Sequence, residues 1–194
     1  MIIGVTGLSG SGKSTLSDNL GVILKDTKVI HIDAVHINLL MKNPNLLIDI
    51  YGRDIIKNKK LNCNLFMKYP EKVLKINDMT YKQLAEELNI EIRNANNKKH
   101  IILESLFLPI IKEIWQLCDY TILVKAVNKS KRKENIILRT KKNSKIPNIN
   151  ITSSDVIAPN FNLYKYDFCI TNSYNANFIK DINSIAAQLL TKQK

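Results

Sequence analysis

Gly7-Leu8-Ser9-Gly10-Ser11-Gly12-Lys13-Ser14 follows the apolar run Met1 to Val5 and spells a complete G-x-x-x-x-G-K-S phosphate loop. Glycine lets the backbone turn so that successive N–H groups point inward at phosphate oxygens. Gly7, Leu8, Ser9, Gly10, Ser11, Gly12, Lys13, Ser14 and Thr15 are therefore expected to cradle the phosphates of ATP, with Lys13 reaching the β- and γ-phosphates and the Ser14 hydroxyl ligating Mg²⁺. Leu16, Leu20, Ile23 and Leu24 then share one helical face. The loop so ends at a helix N-terminus, which favours negative charge. Strand, loop and helix occur in the order that phosphate binding needs.

At 194 residues the chain can bury a core without disulfides or structural metals. Cys63, Cys118 and Cys169 form no C-x-x-C pair, and His31, His36 and His100 are isolated. This is neither a disulfide framework nor a zinc site, and it predicts a reducing, cytoplasmic setting. No basic stretch precedes the first apolar run and no apolar run approaches membrane-spanning length, so neither a signal peptide nor a membrane partner is expected. The net charge of +12 is a weak pointer to nucleic acid, because Asn, Lys and Ile, whose codons are rich in A and T, crowd the chain. The basic interval from Lys125 to Lys145 reads as a solvated face or as cations near bound phosphates, and a small molecule is the expected partner.

Four further short apolar runs read as buried parallel strands: Lys28 to Ile32, His100 to Leu103, Tyr120 to Val124 and Phe168 to Ile170. Helical spacing predicts Ala34 to Met41, Leu65 to Lys75, Tyr81 to Ala95, Pro109 to Leu117, Ser130 to Lys142 and Asn177 to Leu190. Such alternation implies a parallel sheet covered on both faces. The organisation expected is a single domain with a core at 1–33 and 100–190, a mainly helical acceptor-binding insertion at about 34–99, and a lid at about 140–162, polar and marked by Pro147 and Pro159.

Ligands of open parallel sheets gather beyond the carboxyl ends of the strands. Asp33 and Glu104 stand there. Asp33 is the candidate catalytic base, with an N-cap for a helix starting at Ala34, a structural role or a water-mediated Mg²⁺ contact as alternatives. Glu104 is a candidate to support Mg²⁺ through water, or else to cap the next helix. Arg139, late in the basic helix, can grip a transferring phosphoryl group or remain a surface arginine. His31 and His36 have weaker claims, since packed histidines outnumber catalytic ones.

With these residues placed, the chain resembles the dephospho-CoA kinase family. Val29 to Leu40 aligns without a gap on the pattern V-I-D-A-D-E-I-A-H-E-L-L, Tyr51 to Ile56 is similar to F-G-E-D-I-L, and Ile101 to Leu108 to V-V-L-D-V-P-L-L. Asp119 to Val124 is similar to D-x-V-V-V-V, and Tyr166 to Ser173 to A-D-x-V-I-x-N-x. The resemblance implies a P-loop NTPase three-layer α/β fold with a five-stranded parallel sheet, a helical substrate-binding insertion and a lid. It also implies ATP- and Mg²⁺-dependent phosphorylation of the ribose 3′-hydroxyl of dephospho-CoA, with Asp33 as base, Lys13 on the phosphates and Arg139 in the lid. The departures are His31 in place of the first aspartate, no arginine near Asn62 to Leu65, no His-Pro pair, and Asn135 where the first helix arginine falls unless Arg132 substitutes. They lie mostly on acceptor recognition, which leaves a kinase of another small metabolite, such as a nucleoside or nucleotide, as an alternative. A GTP-dependent switch or a non-catalytic nucleotide-binding protein is the rival class. Asp49-Ile50-Tyr51-Gly52 matches D-x-x-G, but Lys131 replaces the aspartate of the guanine-reading N-K-x-D.

Overall fold

The computed structural model describes the backbone of residues 1–142 and 151–192, and the side chains of residues 1–138 and 154–192. The chain begins with β1 (Ile2–Thr6), α1 (Lys13–Leu24), β2 (Thr27–His31), α2 (Ile32–Lys42) and α3 (Asn45–Tyr51). A small antiparallel ribbon, β3 (Ile56–Lys57) with β4 (Lys60–Leu61), leads to α4 (Cys63–Phe66) and α5 (Pro70–Asn94). β5 (His100–Glu104), α6 (Lys112–Trp115), β6 (Tyr120–Ala126) and α7 (Lys129–Lys142) follow, then α8 (Ile151–Ile157), β7 (Phe168–Asn172) and α9 (Ala176–Thr191).

The main sheet has five strands in the order β2-β5-β1-β6-β7, and its pairings are parallel. β1 is central because both of its faces are covered: Ile3 and Val5 are fully buried in the core of one face, and Ile2 packs against the core of the other. On one face Leu16, Leu20 and Leu24 of α1 pack with Phe178, Ile182 and Leu189 of α9. On the other, Leu84 and Leu88 of α5 and Ile114 of α6 cover Ile101 and Leu103. Burying each such aliphatic side chain contributes about 1.5–3 kcal/mol before conformational entropy is set against it. The chain leaves β1 towards β5 and β2 and returns to β6 on the other side, so the loop after β1 opens at the point where the strand order reverses.

The five expected core strands are present. Several boundaries differ, for identifiable reasons. β2 stops at His31 and α2 already includes Ile32, so Asp33 lies in the first helical turn instead of ending the strand. The two helices expected at Leu65 to Lys75 and Tyr81 to Ala95 are largely one 25-residue helix, α5. Its polar middle hid this continuity, because Asn77 and Thr80 are buried there although their residue types read as exposed. Pro109 to Leu117 is a 3₁₀ turn at Leu108–Ile110 followed by the short α6. α3 lacked a sequence signal of its own. Part of the polar stretch from Asn143 to Asn162, expected as loop, is helical as α8. Residues 143–150, including Pro147, and the Arg139 side chain lie outside the described residues.

Between α2 and β5, Leu40, Leu47, Ile55 and Ile76 form a second small core. Val73, Leu106 and Ile157 form a third with Leu8 of the phosphate loop and Phe107 packed against it. α5 belongs to all three cores on this side of the molecule, through Leu84 and Leu88, through Ile76, and through Val73.

Candidate active site

The loop after β1 has the backbone that its glycines allow. Gly7 has φ +146° and Gly12 φ +104°, and a Cβ at Gly7 would stand 2.2 Å from the Val124 carbonyl oxygen. Only a residue without a side chain fits there. α1 begins at Lys13 with no side-chain cap and no acidic residue in its first turn, which leaves its N-terminal N–H groups for an anion. Ser11 Oγ is buried with no partner, and Lys13, only 8% exposed, donates to the Leu8 carbonyl at 3.3 Å. A glycine cradle, an uncapped helix start and a buried ammonium fit a polyphosphate.

The loop is braced from β7. Asn172 Nδ2 donates to the Ser11 carbonyl at 2.9 Å while its Oδ1 accepts the Tyr174 N–H at 2.7 Å. The Tyr174 hydroxyl donates to the Gly10 carbonyl at 2.8 Å. Arg132, 2% exposed, pairs with Asp155 and lies 3.4 Å from the Ser9 carbonyl. Among the described residues, the guanidinium beside the phosphate loop is that of Arg132, one turn into α7. Replacing Asn172 by Ala orphans a carbonyl and an N–H, each costing about 1–3 kcal/mol. The expected result is a melting temperature lower by roughly 4–24 °C together with weaker ATP binding, read by calorimetry. An unchanged melt would show that the brace is dispensable.

Glu104 ends β5 facing this loop. Ser14 Oγ donates to its Oε2 at 3.3 Å, His31 Nδ1 lies 2.8 Å from the same oxygen, and Lys13 Nζ is 3.7 Å from Oε1. Burial alone would raise the Glu104 carboxyl, but the His31 hydrogen bond, the Lys13 charge and the Ser14 hydroxyl outweigh it and hold it below its ordinary value. The same hydrogen bond raises His31. With its oxygens committed to these three partners, Glu104 does not cap the following helix. An ionised carboxylate next to a phosphate-loop hydroxyl suits a hydrated Mg²⁺ held mainly by phosphates. Among the described residues no group of three His, Cys, Asp or Glu side chains forms a self-sufficient metal site.

Asp33 does not cap α2, whose N-cap position is His31. Its Oδ1 accepts from Ser105 Oγ at 2.6 Å, and Ser105 Oγ in turn accepts the Phe107 N–H at 3.0 Å. This relay fixes the carboxylate of Asp33, which lines a cleft of about 280 Å³ together with Ser9 of the phosphate loop. Asp33 as a residue is exposed to solvent, with protein packed around its carboxyl group. Desolvation, reinforced by the Glu104 charge, raises its carboxyl against the pull of Ser105, Lys13 and His31. Ser105 escaped the sequence reading because a serine just beyond a strand carries no signal of its own. Asn172 was visible only within the closing segment of the family pattern.

The segments that resembled a guanine-nucleotide switch have local explanations. Asn128 Oδ1 accepts the Lys131 N–H at 2.7 Å at the start of α7, and Asp49 lies within α3, which Gly52 terminates at φ +84°.

No protein-family profile matches the chain. Among solved structures it is similar to TT1252 from Thermus thermophilus, with 17% identity, a TM-score of 0.71, and coverage of 100% of this chain and 98% of that one. It is also similar to dephospho-CoA kinase from Campylobacter jejuni, at 18% identity and TM-score 0.60 over 100% and 98% of the two chains. The chain has the P-loop kinase fold. Shikimate kinase from Acinetobacter baumannii, at 12% identity and TM-score 0.54 over 98% and 93%, shares this P-loop architecture. No helix among the described residues is long and apolar enough to cross a membrane.

Proposed function

We propose that this chain is an ATP-dependent, Mg²⁺-supported kinase of a small-molecule alcohol, and that the alcohol is the ribose 3′-hydroxyl of dephospho-CoA. The observation carrying the reading is the Ser105-held carboxylate of Asp33 in a cleft shared with Ser9 of the phosphate loop. Support for the acceptor comes from the ungapped Val29 to Leu40 resemblance and from the named neighbour of the same fold.

In this reading the amides of Gly7 to Thr15 hold the triphosphate and Lys13 balances its charge. Asp33 orients the acceptor hydroxyl and takes its proton as the new bond to the γ-phosphorus forms and the bond from that phosphorus to the bridging oxygen of ADP breaks. When bound, Mg²⁺ neutralises phosphate charge. Ser14 would ligate it, with Glu104 acting through water. Arg132, and Arg139 from the lid, are the guanidinium candidates for the transferring group. Most of the acceleration comes from positioning and electrostatics.

Incubation with ATP, Mg²⁺ and dephospho-CoA, read by mass spectrometry, is expected to yield coenzyme A and ADP. Phosphorylation of another alcohol in a parallel panel would keep the kinase and replace the acceptor. ATP left intact with every acceptor would overturn the reading. The absence of any lysine or arginine among the described residues lining the Asp33 cleft favours, as a second reading, a kinase of a different metabolite that is uncharged.

A further inference from the structure

The Asp33 cleft contains a polar group that the proposed transfer does not use. His36, on α2 one turn beyond Asp33, lines the cleft and is nearly buried. His36 Nε2 lies 2.7 Å from Thr80 Oγ1, and Thr80 Oγ1 donates to the Ile76 carbonyl at 2.8 Å.

The Thr80 hydroxyl has one proton, and a carbonyl can only accept. Thr80 Oγ1 therefore accepts from His36, and the imidazole proton is on Nε2. Burial depresses the His36 pKa to about 4, so the ring is neutral at physiological pH. Nδ1 is then an acceptor with no hydrogen-bond partner among the described residues, on a ring held by α5. Around it the cleft is mainly apolar, with Ile37, Leu40, Phe66, Leu106 and Phe107 among its walls. No lysine or arginine side chain occurs among its described lining residues. An acceptor carboxylate entering here would be desolvated without a partner and would face the Asp33 charge. The volume of about 280 Å³ is near the lower end of small-molecule sites.

We propose that His36 is a specificity-determining residue of the acceptor cleft, its Nδ1 accepting a hydrogen bond from an N–H or O–H group on an uncharged, ring-bearing alcohol of the nucleoside type. Any charged extension of the acceptor stays outside the cleft. This rests on the kinase reading above and adds which part of the acceptor is inspected, and by which atom.

The test uses the full chain with ¹⁵N-labelled histidine, saturated with a non-hydrolysable ATP analogue and Mg²⁺. Adenosine, shikimate and gluconate serve as probes. The His36 ring is expected to give the Nε2–H tautomer, and adenosine is expected to shift its Nδ1 resonance. His36→Phe should weaken adenosine binding about tenfold or more, the size of one lost hydrogen bond. His36→Asn should restore part of it, because its amide oxygen can stand near the Nδ1 position. The two acids should bind at least about tenfold more weakly than adenosine. A proton on Nδ1, adenosine binding without an Nδ1 shift, unchanged affinity in His36→Phe, no adenosine binding, or preference for an acid would each overturn the inference while nucleotide binding stays intact. Failure of the ATP analogue itself to bind is a separate signal, which removes the kinase reading and this inference with it.

Discussion

Asp33→Asn is expected to lower turnover by about 10²–10⁴-fold while ATP affinity stays within about twofold. Asparagine keeps the shape of the side chain and an oxygen for the Ser105 hydroxyl, whose bond to Oδ1 is 2.6 Å. What it loses is the capacity to take a proton from the acceptor. The pH dependence follows from the direction of the shift. Because the Asp33 carboxyl is raised, the wild-type rate should fall on acidification while pH is still above the ordinary carboxylate range, as the base becomes protonated. That acid limb should be missing from the residual activity of the variant. The same shift has a sign for stability: a carboxyl that binds its proton more tightly in the folded chain penalises folding once it is ionised. Asp33→Asn should therefore melt slightly above wild type at neutral pH. Calorimetric melting and steady-state kinetics on the same preparations would decide. Wild-type turnover in the variant would remove Asp33 from the reaction.

Gly7→Ala should strike stability and triphosphate binding together. At φ +146° an L side chain is strained by about 1–3 kcal/mol, and the new methyl carbon would lie 2.2 Å from the Val124 carbonyl oxygen. Relieving that overlap means pushing β1 away from β6 where the two strands pair, at a further cost of about 1–3 kcal/mol. The expected loss of roughly 2–6 kcal/mol lowers the melting temperature by on the order of 10 °C. Triphosphate binding should collapse as well, since the amides that follow would no longer converge. A variant that melts with wild type and still binds an ATP analogue would show that the loop tolerates a different backbone.

The sheet and phosphate loop were legible because both depend on local, repetitive signals: short apolar runs such as Ile101 to Leu103, and a glycine pattern with one physical solution. Asp33 and Glu104 were singled out by their place at or beyond a strand end, a topological argument that tolerates an error of one or two residues. It tolerated one here, since Asp33 sits inside α2. The supporting residues were not legible. Ser105, Asn172 and Tyr174 act through partners 72, 161 and 164 positions away, and no periodicity reports such distances. The continuity of α5 was hidden for a related reason. Its buried Thr80 satisfies its hydroxyl within its own helix and against His36, so polarity in the sequence masked burial in the fold.

α5 behaves as a girder fixed at one end in the sheet, through Leu84 and Leu88, and at the other in the wall of the acceptor cleft, through Val73. The dimensions of the cleft are consequently tied to the rigidity of the whole molecule, and trimming Leu88 would be felt at substrate entry. On the kinase reading proposed above, a chain built this way would change its choice of alcohol by altering the lining more readily than by reshaping the vault.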